Sequence, residues 1–213
     1  AERRKDQSYV LYQLTQRQLA HLLLPVGDYD KPAIRDKARQ AGLDNADKGD
    51  SQDICFVPDG DYVGFLQREG LPLTPGDVVD RDGRVLGRHK GLPCYTAGQR
   101  KGLGIAARTP LYVTALRPDK NQVVVGENDD LFRTRLLADE LHFTDGEAPA
   151  EEFRCQAKIR YGIKVHDCTV TLERNSRAVV KFNEPQRAIT TGQSVVFYDD
   201  DRLIGGGTIM RAL

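Results

Sequence analysis

The apolar positions change period twice along the chain. Within Ser8 to Leu24, Val10, Leu11, Leu14, Leu19, Leu22 and Leu23 suit one or two short helices, with Thr15 able to cap the second and Pro25 and Gly27 ending it. A further helix is signalled by Asp30 ahead of Lys31-Pro32, with Ile34, Ala38 and Ala41 at helical spacing and Gly42 placed to terminate it. Residues 1 to 48 are therefore expected to be helical.

After Asn45 the apolar runs shorten and are broken by Gly, Pro and Asp, as in Pro75-Gly76, Asp82-Gly83, Gly98, Gly102 and Gly104, which marks β-rich chain. Asp77 to Leu86 predicts a hairpin turning at Asp82-Gly83, and Leu111 to Leu116 with Gln122 to Val125 predicts another. From near Leu136 strand follows strand. In Phe153 to Tyr161 the period is two, so Phe153, Cys155, Ala157 and Ile159 share a core-facing side and Arg154, Gln156, Lys158 and Arg160 share a basic one. Cys168, Val170 and Leu172 repeat the inward pattern, and Ala178 to Phe182, Ser194 to Tyr198 and Gly207 to Met210 add strands. Short strands at regular spacing favour closure into a small barrel, which removes exposed edges. The expected fold class is thus mainly β with an N-terminal helical segment (1–48), a small β-rich central domain (49–130) and a C-terminal β-barrel (131–213).

Composition changes this picture little. Hydrophobic residues at 39% and charged residues at 29% fit a folded, soluble chain rather than a disordered one. No apolar run reaches membrane-span length, and Ala1-Glu2-Arg3-Arg4-Lys5 has no apolar segment behind it, so the expectation is a cytoplasmic protein without membrane partners. With 31 basic and 31 acidic residues the net charge is zero, so a nucleic acid would have to be held by a local basic face. The four cysteines, Cys55, Cys94, Cys155 and Cys168, form no Cys-x-x-Cys pair and no zinc spacing; no metal is expected.

The most informative stretch is Lys48 to Pro58, in which polar residues lead into Ile54-Cys55-Phe56-Val57-Pro58. A thiol at such a loop-to-strand junction can be reachable, whereas Cys155 and Cys168 alternate into a predicted core. No His or Arg adjoins Cys55 in sequence to lower its pKa, so a buried, inert thiol stands beside the reactive reading. The Gln99-Arg100-Lys101-Gly102-Leu103-Gly104 loop is open in the same way between a phosphate-approaching backbone and an ordinary tight turn. His21, His89, His142 and His166 are isolated and carry no catalytic assignment.

Four segments occur in a fixed order: Lys5-Asp6-Gln7-Ser8-Tyr9, Ser51-Gln52-Asp53-Ile54-Cys55-Phe56, Tyr95-Thr96-Ala97-Gly98-Gln99-Arg100-Lys101-Gly102-Leu103-Gly104 and Ile159-Arg160-Tyr161. In these the chain resembles the C-terminal two-thirds of the bacterial tRNA-specific 2-thiouridylases. It departs at Gly49, where the family often has proline, and at Pro93-Cys94, which leaves Cys94 as a second candidate thiol below Cys55.

The resemblance implies transfer of persulfide sulfur to C2 of the wobble uridine of tRNA after ATP-dependent adenylation. Cys55 would carry the persulfide, and a second cysteine in an N-terminal ATP-pyrophosphatase domain would complete the transfer. Lys5, Asp6, Gln7, Arg160, Tyr161 and Gln193 would contact tRNA, and a sulfur-relay protein or cysteine desulfurase would supply the sulfur. The family's Ser-Gly-Gly-x-Asp-Ser phosphate loop does not occur in these residues, so ATP is expected to bind a domain outside them and this portion alone to be inactive. The competing reading is a non-catalytic RNA-binding barrel like those of translation factors, resting on the basic strand face and giving Cys55 no role. A stand-alone persulfide carrier is a third.

Overall fold

The computed structural model describes residues 6–49, 57 and 60–213. Helices come first: α1 over Ser8–Leu11, α2 over Gln16–Leu19 and α3 over Lys31–Gln40. The local chemistry anticipated for them is present. Thr15 and Gln18 form a reciprocal capping box at α2, and the Asp30 side chain accepts from the Ala33 N–H at the start of α3, satisfying amides that have no partner within the helix. Gly42, at φ 68°, ends α3 in the left-handed region.

The central part opens with α4 over Tyr62–Arg68, an element absent from the β-rich expectation for this stretch. Asp61 caps it through the Gly64 N–H, and Val63, Phe65 and Leu66 turn toward the protein. The helix is two turns long, too short for a periodicity to stand out among the surrounding glycines and prolines. Strands β1 (Gly76–Val79), β2 (Val85–His89), β3 (Tyr112–Arg117) and β4 (Gln122–Gly126) form one sheet in the order β2-β1-β4-β3. Both predicted hairpins exist, β1 with β2 and β3 with β4, each antiparallel, and Gly83 adopts φ 85° in the first turn. The hairpins are then joined by a parallel β1–β4 pairing, which buries Val78, Val113, Val123 and Val125 in one small core.

His89, the last residue of β2, is 2% exposed. Its Nδ1 accepts from the Gly91 N–H at 3.1 Å, so its Nε2 donates to the Asn121 carbonyl at 3.0 Å. Both ring nitrogens are occupied in tying β2 to the turn before β4.

Six further strands close a barrel in the order β10-β5-β8-β7-β6-β9: β5 (Phe132–Phe143), β6 (Glu152–Lys158), β7 (His166–Glu173), β8 (Arg177–Arg187), β9 (Ser194–Asp199) and β10 (Arg202–Ala212). The mainly β class and the C-terminal barrel match the sequence pattern. Phe153, Ala157, Ile159, Cys168 and Val170 face the interior as their period-two spacing requires, packed on Phe197 and Ile209. Burial of each large apolar side chain stabilises the barrel by roughly 1.5–3 kcal/mol.

The N-terminal segment seats on this barrel. Tyr9 and Tyr12 pack with Val196 and Tyr198 of β9, and the Tyr9 hydroxyl donates to the Ser194 carbonyl at 2.9 Å. Gly206 leaves the room: a Cβ there would lie 2.5 Å from the Val195 carbonyl oxygen and 2.7 Å from the Tyr12 ring. The Gln16 side chain donates to the Thr144 carbonyl at 2.9 Å, and His142 Nε2 lies 3.3 Å from the Leu14 carbonyl. No helix among the described residues is long and apolar enough to cross a membrane.

Candidate nucleic-acid interface

Strand β6 ends at Lys158, and the chain then bends, so that Tyr161 falls in a turn before β7 rather than continuing the inward parity of Ile159. That break turns Tyr161 outward to 48% exposure, the change of direction that a base-stacking role demands. Its hydroxyl accepts from the Gln7 side-chain amide at 2.8 Å, across 154 positions of sequence, and its ring meets the Tyr9 ring edge-on at 6.3 Å. An exposed aromatic held in place on two sides loses little further freedom when a base stacks on it.

Asp6 joins the same corner. Its carboxylate accepts from the Ser8 N–H at 2.9 Å and the Ser8 hydroxyl at 2.7 Å and pairs with Lys158 at 3.6 Å. Partial burial pushes its pKa up, but those hydrogen bonds and the Lys158 charge outweigh it and hold the carboxyl below its ordinary value. Lys158 also stands over the Tyr198 ring, 5.2 Å from its centroid. The basic strand face is therefore not a free row of cations: Arg154 is exposed, whereas Lys158 is engaged by Asp6 and Tyr198.

Arg160 is half-buried, and its Nη2 donates to the carbonyls of Arg187 and Ala188 at 2.7 and 3.1 Å. This anchors the turn that carries Tyr161 to the end of β8. Gln193 is exposed on the loop before β9, where it borders a cleft of about 830 Å³ between the central sheet and the barrel. Asp6, Gln7, Arg160 and Tyr161 thus come together at one end of β6, and Gln193 lines the cleft, next to Ser194, whose carbonyl holds the Tyr9 hydroxyl. Lys5 and Cys55 lie outside the described residues.

The remaining candidates separate clearly. Cys94 is half-buried, and burial pushes its thiol above the ordinary value despite the nearby Lys90, which disfavours the thiolate a nucleophile needs. In the Gln99–Gly104 loop the Gln99 side chain accepts from the Thr96 N–H and donates to the Lys101 carbonyl at 2.9 Å. Arg100 and Lys101 are left exposed on a self-braced turn. Gly98 at its base would place a Cβ 3.0 Å from that of Ala188, so this turn abuts the barrel. Among the described residues no group of three or more His, Cys, Asp or Glu side chains could hold a metal ion. The partnerships of Gln7, Asp6 and Lys158 had no signal in the local sequence, since each depends on the long-range docking of the N-terminal segment.

The architecture defines a chain of three consecutive parts, and comparison with known families separates the same three. Residues 1–59 match the tRNA methyl transferase HUP domain, 64–127 the tRNA methyl transferase PRC-barrel domain and 133–209 the aminomethyltransferase beta-barrel domain. The Cys55 segment falls in the first of these matches. The chain is 52% identical over all its 213 residues to the tRNA-specific 2-thiouridylase MnmA of Carboxydothermus hydrogenoformans, covering 58% of that protein. It is 48% identical over 209 residues to the enzyme of the same name from Clostridium acetobutylicum, covering 98% of this chain and 59% of that one. A third relative with this name, from Magnetococcus marinus, is 48% identical over 207 residues, covering 97% and 58% respectively. The chain belongs to the tRNA-specific 2-thiouridylase family, and it spans a little under three-fifths of the length of these curated relatives.

Proposed function

We propose that this chain supplies the RNA-holding and sulfur-bearing portion of a tRNA 2-thiouridylase, with Cys55 carrying a persulfide whose outer sulfur is delivered to C2 of the wobble uridine. The observation that supports this best is the Gln7–Tyr161 hydrogen bond, because it joins two separated family segments into a single exposed corner. A corner of this kind, with a half-exposed tyrosine, an amide and an anchored arginine, suits an unpaired base and its flanking phosphate. Nη2 of Arg160 holds the backbone of β8, so the rest of its fork is what faces the RNA. Gln193 and the adjacent cleft offer a second point of contact.

A uracil C2 oxygen leaves poorly unless it is first activated, and ATP is the group that would do this. The 213 residues contain no Ser-Gly-Gly-x-Asp-Ser loop to cradle its phosphates, so ATP is assigned to chain beyond them. The part that falls to Cys55 is to retain one sulfur of a persulfide while presenting the other as nucleophile. A cysteine desulfurase or sulfur-relay protein is the class of donor that would load it.

The test is thiolation of tRNA by the full-length protein, read alongside tRNA binding. Cys55→Ser should abolish sulfur incorporation and leave tRNA affinity within about twofold, since a serine oxygen cannot hold a transferable sulfur. A serine variant that thiolates normally removes Cys55 from the reaction and leaves only the RNA-binding role.

A further inference from the structure

Cys155 of β6 and Cys168 of β7 are direct cross-strand partners, and their sulfurs lie 3.6 Å apart. Directly opposed residues of an antiparallel pair have Cα atoms about 4.5–5.5 Å apart, inside the range a disulfide spans, so a bond between them asks for side-chain rotation and little backbone movement. The two thiols differ in access. Cys168 is 3% exposed, while Cys155 is half-buried, and both border a cleft of about 530 Å³. The cleft is acidic: Asp167, Asp199 and Asp200 line it against a single arginine, Arg154. The hairpin that these cysteines close carries Arg160 and Tyr161 in its turn.

We propose that Cys155 and Cys168 form a dithiol modification site, which reduces small disulfides, cationic ones before anionic ones, and closes into a cross-strand bond at the foot of the Arg160–Tyr161 turn. Cys155 is the attacking thiol because it is the less buried of the two. Its thiolate attacks one sulfur of R–S–S–R, releases RS⁻ and retains the other half as a mixed disulfide. Cys168 then gives its proton to solvent, attacks the Cys155 sulfur and expels the second RS⁻. Two cysteine thiols are oxidised to one disulfide, and one R–S–S–R is reduced to two RSH. The hydrogen bond with Cys155 and burial both push the Cys168 thiol above its ordinary value, which disfavours its thiolate and leaves the first attack to Cys155. A consequence for RNA holding rests on the role given to Arg160 and Tyr161 above, whereas formation of the bond does not.

The experiment treats the reduced protein with cystamine, a cationic aliphatic disulfide, and with dithiodipropionate, a dianionic aliphatic one, each rate divided by that of the same reagent with free cysteine, followed by non-reducing tryptic mass mapping. Cystamine should remove about 2 Da from this pair, two hydrogens for a two-electron oxidation, and link the peptide Cys155–Lys158 to Val165–Arg174. It should do so several-fold faster than the anionic reagent, a preference that fades with added salt. Cys168→Ser should hold cysteamine on Cys155 as a stable adduct while keeping the wild-type circular dichroism and thermal transition, which separates a reachable thiol from an unfolded one. A wild-type protein that keeps cysteamine on Cys155 without closing the bond overturns the proposal. So does a pair that reacts only after denaturation. A faster reaction with the anionic reagent overturns the assigned preference.

Discussion

The side-chain amide of Gln7 donates to the hydroxyl of Tyr161 at 2.8 Å, although the two residues are 154 positions apart. Gln7 precedes the first helix, and Tyr161 occupies the turn between β6 and β7. Their contact exists because Tyr9 and Tyr12 seat the N-terminal segment on β9, which brings the Gln7 side chain within reach of that turn. The barrel alone would present a tyrosine without either of its two restraints, since Gln7 and Tyr9 both belong to the N-terminal segment.

This coupling predicts a hierarchy of effects on tRNA affinity in the full-length protein. Tyr161→Ala should weaken binding by about 1–3 kcal/mol, the worth of one stacked base. Tyr161→Phe keeps the ring and loses the hydroxyl, so it should cost about 1 kcal/mol or less. Gln7→Ala combined with Tyr161→Phe should cost less than the sum of the single changes. Filter binding on wild type, the three single variants and the double measures this; strict additivity of Gln7→Ala and Tyr161→Phe would show that the hydrogen bond does not organise the site.

Alkali should loosen the same junction. Burial, and then the neighbouring Tyr12, push the Tyr9 hydroxyl up to about 12. A group whose folded pKa is raised binds its proton more tightly in the folded state. The stabilisation is therefore fully present below pH 10, the ordinary tyrosine value, and is lost as pH climbs toward 12. Tyrosinate absorbance and proteolysis of the N-terminal segment, followed together between these limits, should change in one transition, and Tyr9→Phe should remove its contribution to both.

His89→Leu should destabilise the central sheet by about 2–4 kcal/mol, because it strands the buried Asn121 carbonyl and Gly91 N–H that the ring now satisfies. Chemical denaturation of wild type and variant checks the value. A loss under ~0.5 kcal/mol, the ordinary surface range, would mean that water replaces the ring without cost.

Gly206→Ala should cost about 1–3 kcal/mol, the usual penalty for overpacking, since the added methyl meets the Val195 carbonyl and the Tyr12 ring below 3 Å. The damage should concentrate in residues 6–20, where hydrogen exchange would accelerate more than in the barrel strands. Shrinking Tyr12 in the same background should recover part of the loss.

Local chemistry made much of this fold readable. Asp30, Thr15 and Asp82-Gly83 acted as caps and a turn where their side chains and φ preferences require. The alternation of Phe153, Cys155, Ala157 and Ile159 announced a barrel strand. Helix α4 was not legible, being two turns among turn-forming residues, and neither was the parallel pairing of β1 with β4, because register between distant strands leaves no mark on either strand. The same reason hid the opposition of Cys155 and Cys168: parity placed both inside, and only the β6–β7 register set them face to face. Of the candidate RNA contacts, the need for Tyr161 to escape its strand was legible from parity. The engagement of Lys158 by Asp6 was not, since it depends on docking across the whole chain.

The seat that Gly206 keeps open for Tyr12 belongs to two pieces of polypeptide at once. A chimera that exchanges the barrel between relatives must therefore transplant residues 6–20 with it, or confirm that the recipient's aromatic side chain fits the donor's glycine. Divergence should have left the two positions changing together, so that lineages with a bulkier residue on β10 carry a smaller one in the leading segment.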